Sequence, residues 1–505
     1  MPQYDAIVIG GGPAGSAAAH LLARWGHRVV LIHRPARPGS ELAESLPPSC
    51  RRLIGRLGLL EAVDSAGFMP TRGNTVWWGA DEGRSEPFPD GASGYQVRRS
   101  DLERVLLAAA EASGVRVHRS CTARGVSLDG SAVVECESRG GGRRVLRAPF
   151  VLDCSGRAGV IATQGFRRGA RRQRTIAMVG VWRREAGWGL ADEGHTLVEA
   201  YGDGWAWSVP VSATERYVTV MVSPGVTDLA RGARLAAAYD AELRKTRHLA
   251  ALVARAAPVG SIWSCDASLY GAERFAGPGF LLVGDAGSFI EPLSSFGVKK
   301  ALASAWAAAI VVRTCLTKPV MRDAALDFYT ARERRVYASY RRQSALYFEQ
   351  ALQAHAHPFW SDRFTDADLE AGVGTGGAVD VVALREDPEV QAAFRALKAA
   401  PRLRLRPAAR LRCARFPAIE EREVVLEERI VDPRLPGAAE GLRFLRGVDL
   451  PALVGMAAAH AQVPDLFESY NRAHAPVILP DFLGALSVLV ATGCLESMPE
   501  PRGRS

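Results

Sequence analysis

The feature that most constrains this chain is a glycine-rich turn close to its N-terminus. A short apolar run, Ala6–Ile9, leads into Gly10-Gly11-Gly12-Pro13-Ala14-Gly15, and a helical pattern follows over residues 16–25. Strand, glycine turn and helix in this order are the context in which such a turn binds a dinucleotide. We expect Gly10 to form the turn, Gly12 to let the backbone approach a pyrophosphate, and Gly15 to allow close helix packing. Pro13 and Ala14 then begin a helix whose free N–H groups and positive end face the phosphates.

The second strand of this unit, residues 29–32, ends without the acidic residue that usually binds the ribose hydroxyl groups. His33 and Arg34 stand there instead, and both are candidate cofactor-binding residues. A neutral His33 ring nitrogen can accept one such hydrogen bond. The alternative is that His33 is only a solvent-facing strand end.

Length and composition limit the remaining classes. The chain has 505 residues, enough for two or three domains, and its 48% hydrophobic and 23% charged residues are typical of a globular protein. The net charge of +9 comes from arginine, since lysine occurs only at 245, 299, 300, 318 and 398. Because no aromatic residues are interleaved with a basic stripe, we expect no nucleic-acid partner. The eight cysteines show no metal-ligand spacing, so we expect no metal site.

Two further observations concern location. No basic and then apolar leader precedes the strand-like residues 4–9. The longest apolar run, residues 301–312, is shorter than the roughly 20 residues that cross a membrane. We therefore expect a cytoplasmic protein without a membrane span.

The pattern of the whole chain predicts an α/β fold. A doubly wound Rossmann-type domain is expected from residues 1–170 together with 272–345, and an antiparallel-sheet substrate domain from 171–271. A helical cap over 346–420 and a winged-helix-like module over 421–505 complete the predicted helical C-terminal region. The last helix of that module is apolar rather than basic, which favours a protein-contact or substrate-presenting role.

A second motif lies far from the first. Residues 281–287 read Leu-Leu-Val-Gly-Asp-Ala-Gly, and Glu291-Pro292-Leu293-Ser294-Ser295-Phe296-Gly297-Val298 then opens a long helix. This stretch resembles the second flavin motif of the FAD-dependent monooxygenase and halogenase superfamily. The resemblance implies an FAD cofactor, with Asp285 binding the ribityl chain and with Gly297 and Val298 against the isoalloxazine ring. Pro292 is a further candidate cofactor-binding residue. A helix N-terminus at that ring stabilises the negative charge of a reduced flavin.

Other segments are similar to flavin-dependent tryptophan and phenol halogenases in particular. The matching segments are residues 41–48 (Glu-Leu-Ala-Glu-Ser-Leu-Pro-Pro), 95–103 (Tyr-Gln-Val-Arg-Arg-Ser-Asp-Leu-Glu), 153–157 (Asp-Cys-Ser-Gly-Arg) and 204–210 (Gly-Trp-Ala-Trp-Ser-Val-Pro). The resemblance covers about residues 1–345. It implies that Ser45, Arg99 and Ala123 belong to the cofactor site and that Trp207 takes part in catalysis. The alternative for Trp205 and Trp207 is that both are core aromatic residues.

The sequence departs from these halogenases at one decisive position. Halogenases of the family use a lysine in a Gly-Phe-x-x-Lys-x-Gly stretch to hold and direct hypohalous acid. Here the stretch is residues 67–73, Gly-Phe-Met-Pro-Thr-Arg-Gly, which places Thr71 at the lysine position. The neighbouring Arg72 stays protonated and is a poor substitute. The chain thus resembles a halogenase that lacks the halogenase lysine.

Lys299 and Lys300 are unexpected where they stand, because cations are disfavoured near a helix N-terminus. Either could act in catalysis by stabilising a peroxide or an anionic substrate, or by orienting a phenolate. The alternative is that one reaches solvent while the other pairs with Glu291.

Together these features predict an FAD-dependent monooxygenase that hydroxylates an electron-rich aromatic substrate through a flavin C4a-hydroperoxide. The reaction would belong to secondary metabolism, or to the maturation of a substrate that is bound to a carrier protein or peptide. No second dinucleotide motif is visible, so reduced flavin is expected from a separate reductase. The alternatives are a halogenase that uses another residue, a flavin dehydrogenase or reductase, and a non-catalytic flavoprotein partner.

Overall fold

The computed structural model describes residues 4–35, 39–79, 82–169, 174–225, 227, 233–363, 381–399, 404–435 and 440–497. Backbone contacts divide the chain into two compact units, Met1–Ala371 and Gly372–Ser505. The division falls inside the predicted helical cap 346–420. The predicted boundary at 170/171 lies outside the described residues, and position 345 falls within one continuous helix, Arg322–Ala354.

A six-stranded sheet forms the centre of the first unit. Its strands, in spatial order, are Ala276–Gly277, Phe280–Leu282, Phe150–Asp153, Ala6–Ile9, Val29–His33 and Arg116–Arg119. Every neighbouring pair is parallel except the first. The apolar runs of Ala6–Ile9 and Phe150–Asp153 are buried along their whole length, as expected for strands covered on both faces. The predicted doubly wound α/β fold is confirmed.

Three long helices pack around this sheet: Pro13–Arg24, Arg99–Ala112 and Gly297–Thr317. The last is long and apolar enough, by length and composition alone, to cross a membrane. Its most apolar stretch is 72% buried inside the unit, however, which is the behaviour of a core helix.

The second large sheet has seven strands and is mostly antiparallel. In order they are Ala257–Asp266, Ile176–Arg183, Glu215–Val222, Gly204–Pro210, Thr196–Tyr201, Gly73–Trp77 and Arg84–Pro87. The first five lie within residues 171–271, the segment that the sequence assigns to an antiparallel sheet. The last two come from a distant part of the chain and join through a parallel pairing of Gly73–Trp77 with Thr196–Tyr201. Nothing local in the sequence signals this partnership, because pairing between distant strands depends on the assembled fold.

Smaller elements complete the first unit. Three three-stranded sheets consist of Ala43–Leu46, Gly94–Arg98 and Met69–Thr71; of Arg143–Ala148, Ala132–Ser138 and Cys121–Ser127; and of Arg167–Gly169, Tyr270–Ala272 and Ser288–Phe289. The remaining helices are Pro48–Arg56, Leu60–Asp64, Ala233–Leu243, His248–Val253, Arg322–Ala354 and Pro358–Ser361.

The second unit has its own apolar core. Its helices are Val381–Glu386, Pro388–Ala399, Leu450–Ala457, Val463–Ala473 and Leu479–Ala491, and its strand pairs are Arg412–Glu420 with Glu423–Val431, Leu405–Pro407 with Leu495–Ser497, and Phe444–Leu445 with Val448–Asp449. Leu397 shares this core with Phe482 and Leu486. A groove of about 420 Å³ lies between Phe394 and Val488.

All eight cysteines are free thiols. Cys413, in the second unit, is exposed, and Cys265, in the first, is partly buried; the others are buried.

Candidate functional site

The protein itself requires two of the glycines in the first motif. Gly10 has a φ of +108°, and a Cβ atom there would lie 2.3 Å from the carbonyl oxygen of Cys154. A Cβ atom on Gly15 would lie 1.9 Å from the carbonyl oxygen of Gly10. Both contacts are impossible for any larger residue, so these glycines shape the turn and seat the helix on the sheet, as the sequence predicts.

Gly12 differs, because the space beside it is open. The nearest protein atom to a Cβ atom at Gly12 would be Glu103 Oε1, at 3.4 Å. Helix Pro13–Arg24 starts directly after it, with no side-chain cap and no acidic residue in its first turn. The N–H groups of that turn therefore remain available to an anion, and the cradle fits a pyrophosphate.

His33 lies beside this turn. It ends strand Val29–His33, and a Cβ atom on Gly11 would lie 2.5 Å from its Nδ1 atom. Burial lowers the pKa of His33, although the charge of Glu103 opposes the shift, so the ring is neutral near pH 7 and able to accept a hydrogen bond. Arg34 is exposed. Contacts of His33 and Arg34 with the cofactor stay predictions.

Arg99 connects two carboxylates that the sequence analysis did not single out. Its Nε atom donates to Glu103 Oε1 at 3.0 Å, and its Nη1 atom donates to Glu44 Oε1 at 3.0 Å. Burial lowers the pKa of Arg99, but Glu44 and Glu103 outweigh it and raise the pKa overall. Burial likewise raises the pKa of Glu44, against the pull of Arg99. The four-residue spacing of Arg99 and Glu103 on one helix was the available signal for this pair.

The other predicted contacts of this region occupy neighbouring strands. Ser45 is buried on Ala43–Leu46, opposite Gln96. Ala123 is partly buried on Cys121–Ser127, opposite Cys136. Their assignment to the cofactor site stays a prediction.

The structure brings the two distant motifs together. A Cβ atom on Gly284 would lie 3.1 Å from the Cβ atom of Ala14 and 3.4 Å from that of Ala301. The turn that carries Asp285 therefore packs between the start of helix Pro13–Arg24 and the start of helix Gly297–Thr317. Asp153 fixes a third turn nearby, since its Oδ2 atom accepts the backbone N–H groups of Ile161 and Ala162 at 2.7 and 3.1 Å.

Lys300 is the buried cation of this region. Only 2% of the residue is exposed, and its Nζ atom lies 3.3 Å from Asp285 Oδ1. The same nitrogen donates to the carbonyl oxygen of Gly284 at 3.2 Å and to that of Ser288. Lys300 thus pairs with Asp285, and the predicted alternative of a pair with Glu291 is wrong for it. Successive helix residues point in different directions; Lys299 is partly buried, and its Nζ atom lies 4.7 Å from the ring centre of Phe296.

The start of helix Gly297–Thr317 leaves room for a flat ring. A short turn, Pro292–Ser294, precedes it. Apart from the adjacent residues and the helix's own backbone, no described atom lies within 4 Å of a Cβ position on Gly297. Val298 is buried. This opening is consistent with the isoalloxazine contacts that the resemblance implies.

An aromatic cluster lies against the loop before that helix. Its buried residues include Trp78, Trp205, Phe348, Phe359 and Trp360, and Trp207, Phe289 and Leu293 pack against them. Trp205 and Trp207 stack with ring centres 4.9 Å apart. Trp205 is buried, as the core alternative predicts, whereas Trp207 keeps partial exposure. A catalytic role of Trp207 stays a prediction.

Comparison with known proteins identifies the family. Residues 3–344 match the family model described as FAD binding domain. The chain belongs to this family. The match includes both motifs, and the glycine cradle, the Asp285 turn and the open helix start fit FAD. Bound there, FAD supplies redox chemistry that amino-acid side chains lack.

Relatives of the chain include flavin-dependent halogenases. The chain is 31% identical over 334 residues to a tryptophan 2-halogenase of Chondromyces crocatus, a match that spans 64% of this chain and 63% of the relative. Among solved structures, the flavin-dependent halogenase CmlS has a TM-score of 0.75 at 22% identity, covering 99% of this chain and 97% of CmlS. The peptidyl tryptophan dihydroxylase QhpG has a TM-score of 0.69 at 22% identity, covering 97% of this chain and 99% of QhpG. The predicted FAD-binding family and FAD cofactor are confirmed, the chain is similar to halogenases as the sequence predicts, and CmlS and QhpG share its fold.

Proposed function

We propose that this protein is an FAD-dependent monooxygenase that hydroxylates an electron-rich aromatic substrate. The observation that carries the proposal is Thr71 at the position where the resemblance places the halogenase lysine. Thr71 is fully buried at the end of strand Met69–Thr71, and its hydroxyl donates to the carbonyl oxygen of Gly73 at 3.3 Å. Thr71 has no ammonium group that could hold hypohalous acid, and its hydroxyl is already hydrogen-bonded. The neighbouring Arg72 is exposed. Hydroxylation needs no such lysine.

The chain's own residues prepare the site in three ways. The glycine turn and the first turn of Pro13–Arg24 bind the pyrophosphate of FAD. Lys300 holds Asp285 and the turn around it in one geometry. The aromatic cluster, which contacts the flavin-motif loop through Phe289 and Leu293, excludes water from the neighbourhood of the reaction. Reduced FAD supplies the electrons that activate O₂.

A substrate bound to a peptide or carrier protein is the version of this proposal that we favour. QhpG, which shares the fold over nearly its whole length, is a peptidyl tryptophan dihydroxylase. The second unit, Gly372–Ser505, contains none of the expected FAD-binding residues and has a groove lined by apolar side chains such as Phe394 and Val488 together with Arg385 and Arg395. Such a surface suits an apolar peptide segment with acidic flanks. A separate flavin reductase and a cytoplasmic location stay predictions.

Product analysis tests the proposal. The holoenzyme is supplied with a flavin reductase, NADH, ¹⁸O₂, chloride and bromide, together with phenols, indoles and tryptophan-containing peptides. We expect products that carry one or two ¹⁸O atoms and no halogen. A chlorine or bromine isotope pattern would instead support halogenation through another residue. Oxidised products without ¹⁸O would support the dehydrogenase alternative.

A further inference from the structure

Three buried polar atoms around the aromatic cluster have no hydrogen-bond partner among the described residues. They are Glu291 Oε1, Arg363 Nε and Trp205 Nε1. Glu291 and Trp205 are 2% and 1% exposed, and Arg363 is also buried. Leaving such an atom unpaired costs about 1–3 kcal/mol. Native proteins seldom bury several unpaired polar atoms around one cluster unless a ligand or water completes their bonding.

Contacts of its other two nitrogens fix the Arg363 side chain, while its Nε atom has no hydrogen-bond partner among the described residues. Its Nη1 atom donates to the carbonyl oxygen of Phe359 at 2.7 Å, and its Nη2 atom donates to Thr175 Oγ1 at 2.9 Å. The guanidinium carbon lies 3.5 Å from the ring centre of Phe359. These contacts keep a positive charge beside the cluster in a fixed orientation.

Glu291 and Arg363 influence each other without forming an ion pair within the described structure. Burial raises the pKa of Glu291 to about 7, although the charge of Arg363 opposes the shift. Burial lowers the pKa of Arg363 to about 10, against Glu291 and the exposed Asp362. A buried acceptor and a buried donor thus feel each other's charge without being bonded to each other, an arrangement that suits a ligand with polar groups.

The position of Glu291 ties this arrangement to the flavin motif. Glu291 lies in the loop between the Asp285 turn and the start of helix Gly297–Thr317. Its neighbours Phe289 and Leu293 both pack on the aromatic cluster. The carboxyl group is therefore placed where a substrate ring would meet the cofactor-binding part of the protein.

We propose that Glu291 is a catalytic residue that accepts a hydrogen bond from the O–H or N–H group of a phenol- or indole-type substrate and takes its proton during the reaction. Arg363 and Trp205 complete the polar contacts of the substrate, and the aromatic cluster contacts its ring. This inference rests on the proposed hydroxylation.

With Glu291 in this role, the protons of the hydroxylation reaction balance. Overall, the aromatic C–H, O₂ and reduced FAD give the aromatic C–OH, water and oxidised FAD. Glu291 takes the O–H or N–H proton while the electron pair of that bond enters the ring. The aromatic carbon bonds to one oxygen atom of O₂ while the O–O bond breaks and the second oxygen leaves as water. The ring then loses the proton of that carbon to the water being formed, and the heteroatom regains its proton from Glu291. The carboxylate ends as it began.

Binding of simple rings tests the inference without requiring the true substrate. Phenol and indole are titrated into the oxidised holoenzyme by calorimetry between pH 5.5 and 8.5, with toluene as the ring that has no donor. For the wild type we expect phenol affinity to rise about tenfold as the pH passes through 7, because the ionised carboxylate is the stronger acceptor. Toluene affinity should not change with pH.

The variant Glu291→Gln should retain FAD and bind phenol with no pH dependence. The matched control is Asp362→Asn, which removes an exposed carboxylate beside Arg363 and should preserve the wild-type profile. Trp205→Phe keeps a ring in the cluster and removes the N–H group; we expect about tenfold weaker phenol binding and unchanged toluene binding.

Several results would overturn the inference. They are loss of FAD from Glu291→Gln, an unaltered pH profile in that variant, or equal effects of Trp205→Phe on phenol and toluene. The proposed function fails separately, because it depends on ¹⁸O in the products. An enzyme that incorporates ¹⁸O with no role for Glu291 contradicts only the present inference.

Discussion

Replacing Lys300 by methionine isolates the contribution of one buried ammonium group to the flavin site. Methionine has a side chain of similar length without the charge. In the wild type the ammonium contacts the carbonyl oxygens of Gly284 and Ser288 and the carboxylate of Asp285. Gly284 and Asp285 belong to the turn that the family resemblance assigns to FAD, and Ser288 begins the short strand that follows it.

The magnitude follows from these contacts. A hydrogen bond that involves a charged group contributes about 1.5–3 kcal/mol, so two lost bonds set an upper range of several kcal/mol. Gly284 keeps a second bond at its carbonyl oxygen, from the N–H group of Gly287 at 3.2 Å, and Asp285 keeps partial exposure to solvent. We therefore expect Lys300→Met to reduce the free energy of unfolding by about 3 kcal/mol, near the lower end. FAD affinity should fall about tenfold, because Asp285 loses its fixed orientation.

Urea-induced release of FAD, followed through the recovery of flavin fluorescence, measures this effect in the first unit. The control is Lys299→Met, which removes the charge from a partly buried side chain beside the Phe296 ring. We expect that control to change stability by no more than about 0.5 kcal/mol. Equal release midpoints for the two variants would refute the reasoning, because they would show that the contacts of Lys300 contribute nothing.

Three further predictions concern the cofactor and the second unit. Gly12→Val should fold but lose FAD, since only Glu103 lies near the new side chain, whereas Gly15→Ala should fail to fold; circular dichroism and flavin absorbance distinguish the two. His33→Glu should tighten FAD binding by about 1 kcal/mol in about 0.3 M salt, which screens Glu103, and an unchanged dissociation constant would show that position 33 does not face the ribose. Removal of residues 372–505 should leave FAD affinity unchanged, because the expected FAD contacts all lie in the first unit, and it should reduce hydroxylation of tethered substrates. Loss of FAD from the shortened protein would contradict this prediction.

Local patterns account for the part of the fold that the sequence predicts. Strand, turn and helix around Gly10–Gly15 follow from short-range chemistry, and the structure shows why Gly10 and Gly15 cannot be larger. The second motif was recognisable for the same reason. Even the partner of a predicted residue, however, depended on the assembled fold: Lys300 bonds to the turn at Gly284 and Asp285, not to Glu291.

Contacts between distant segments account for what was missed. Glu103 approaches Gly12 only because helix Arg99–Ala112 packs beside the first helix. The pairing of Gly73–Trp77 with Thr196–Tyr201 joins strands more than 100 residues apart. Arg363, which follows the long helix Arg322–Ala354 in the chain, influences Glu291 although more than 70 residues separate the two. The hydrophobic periodicity of a single segment does not predict such contacts between distant segments.

The distribution of thiols makes the two units separately observable. Cys413 is exposed in the second unit, whereas the first unit has only buried cysteines apart from the partly buried Cys265. Burial raises the pKa of both thiols, so exposure is what distinguishes them. Maleimides react with accessible thiolates, so a single dye will attach preferentially to Cys413 without any mutation. Bound FAD in the first unit is a natural partner for resonance energy transfer to that dye. The labelled protein of unchanged sequence can therefore report, as a change in transfer efficiency, whether its two units move when a tethered substrate binds.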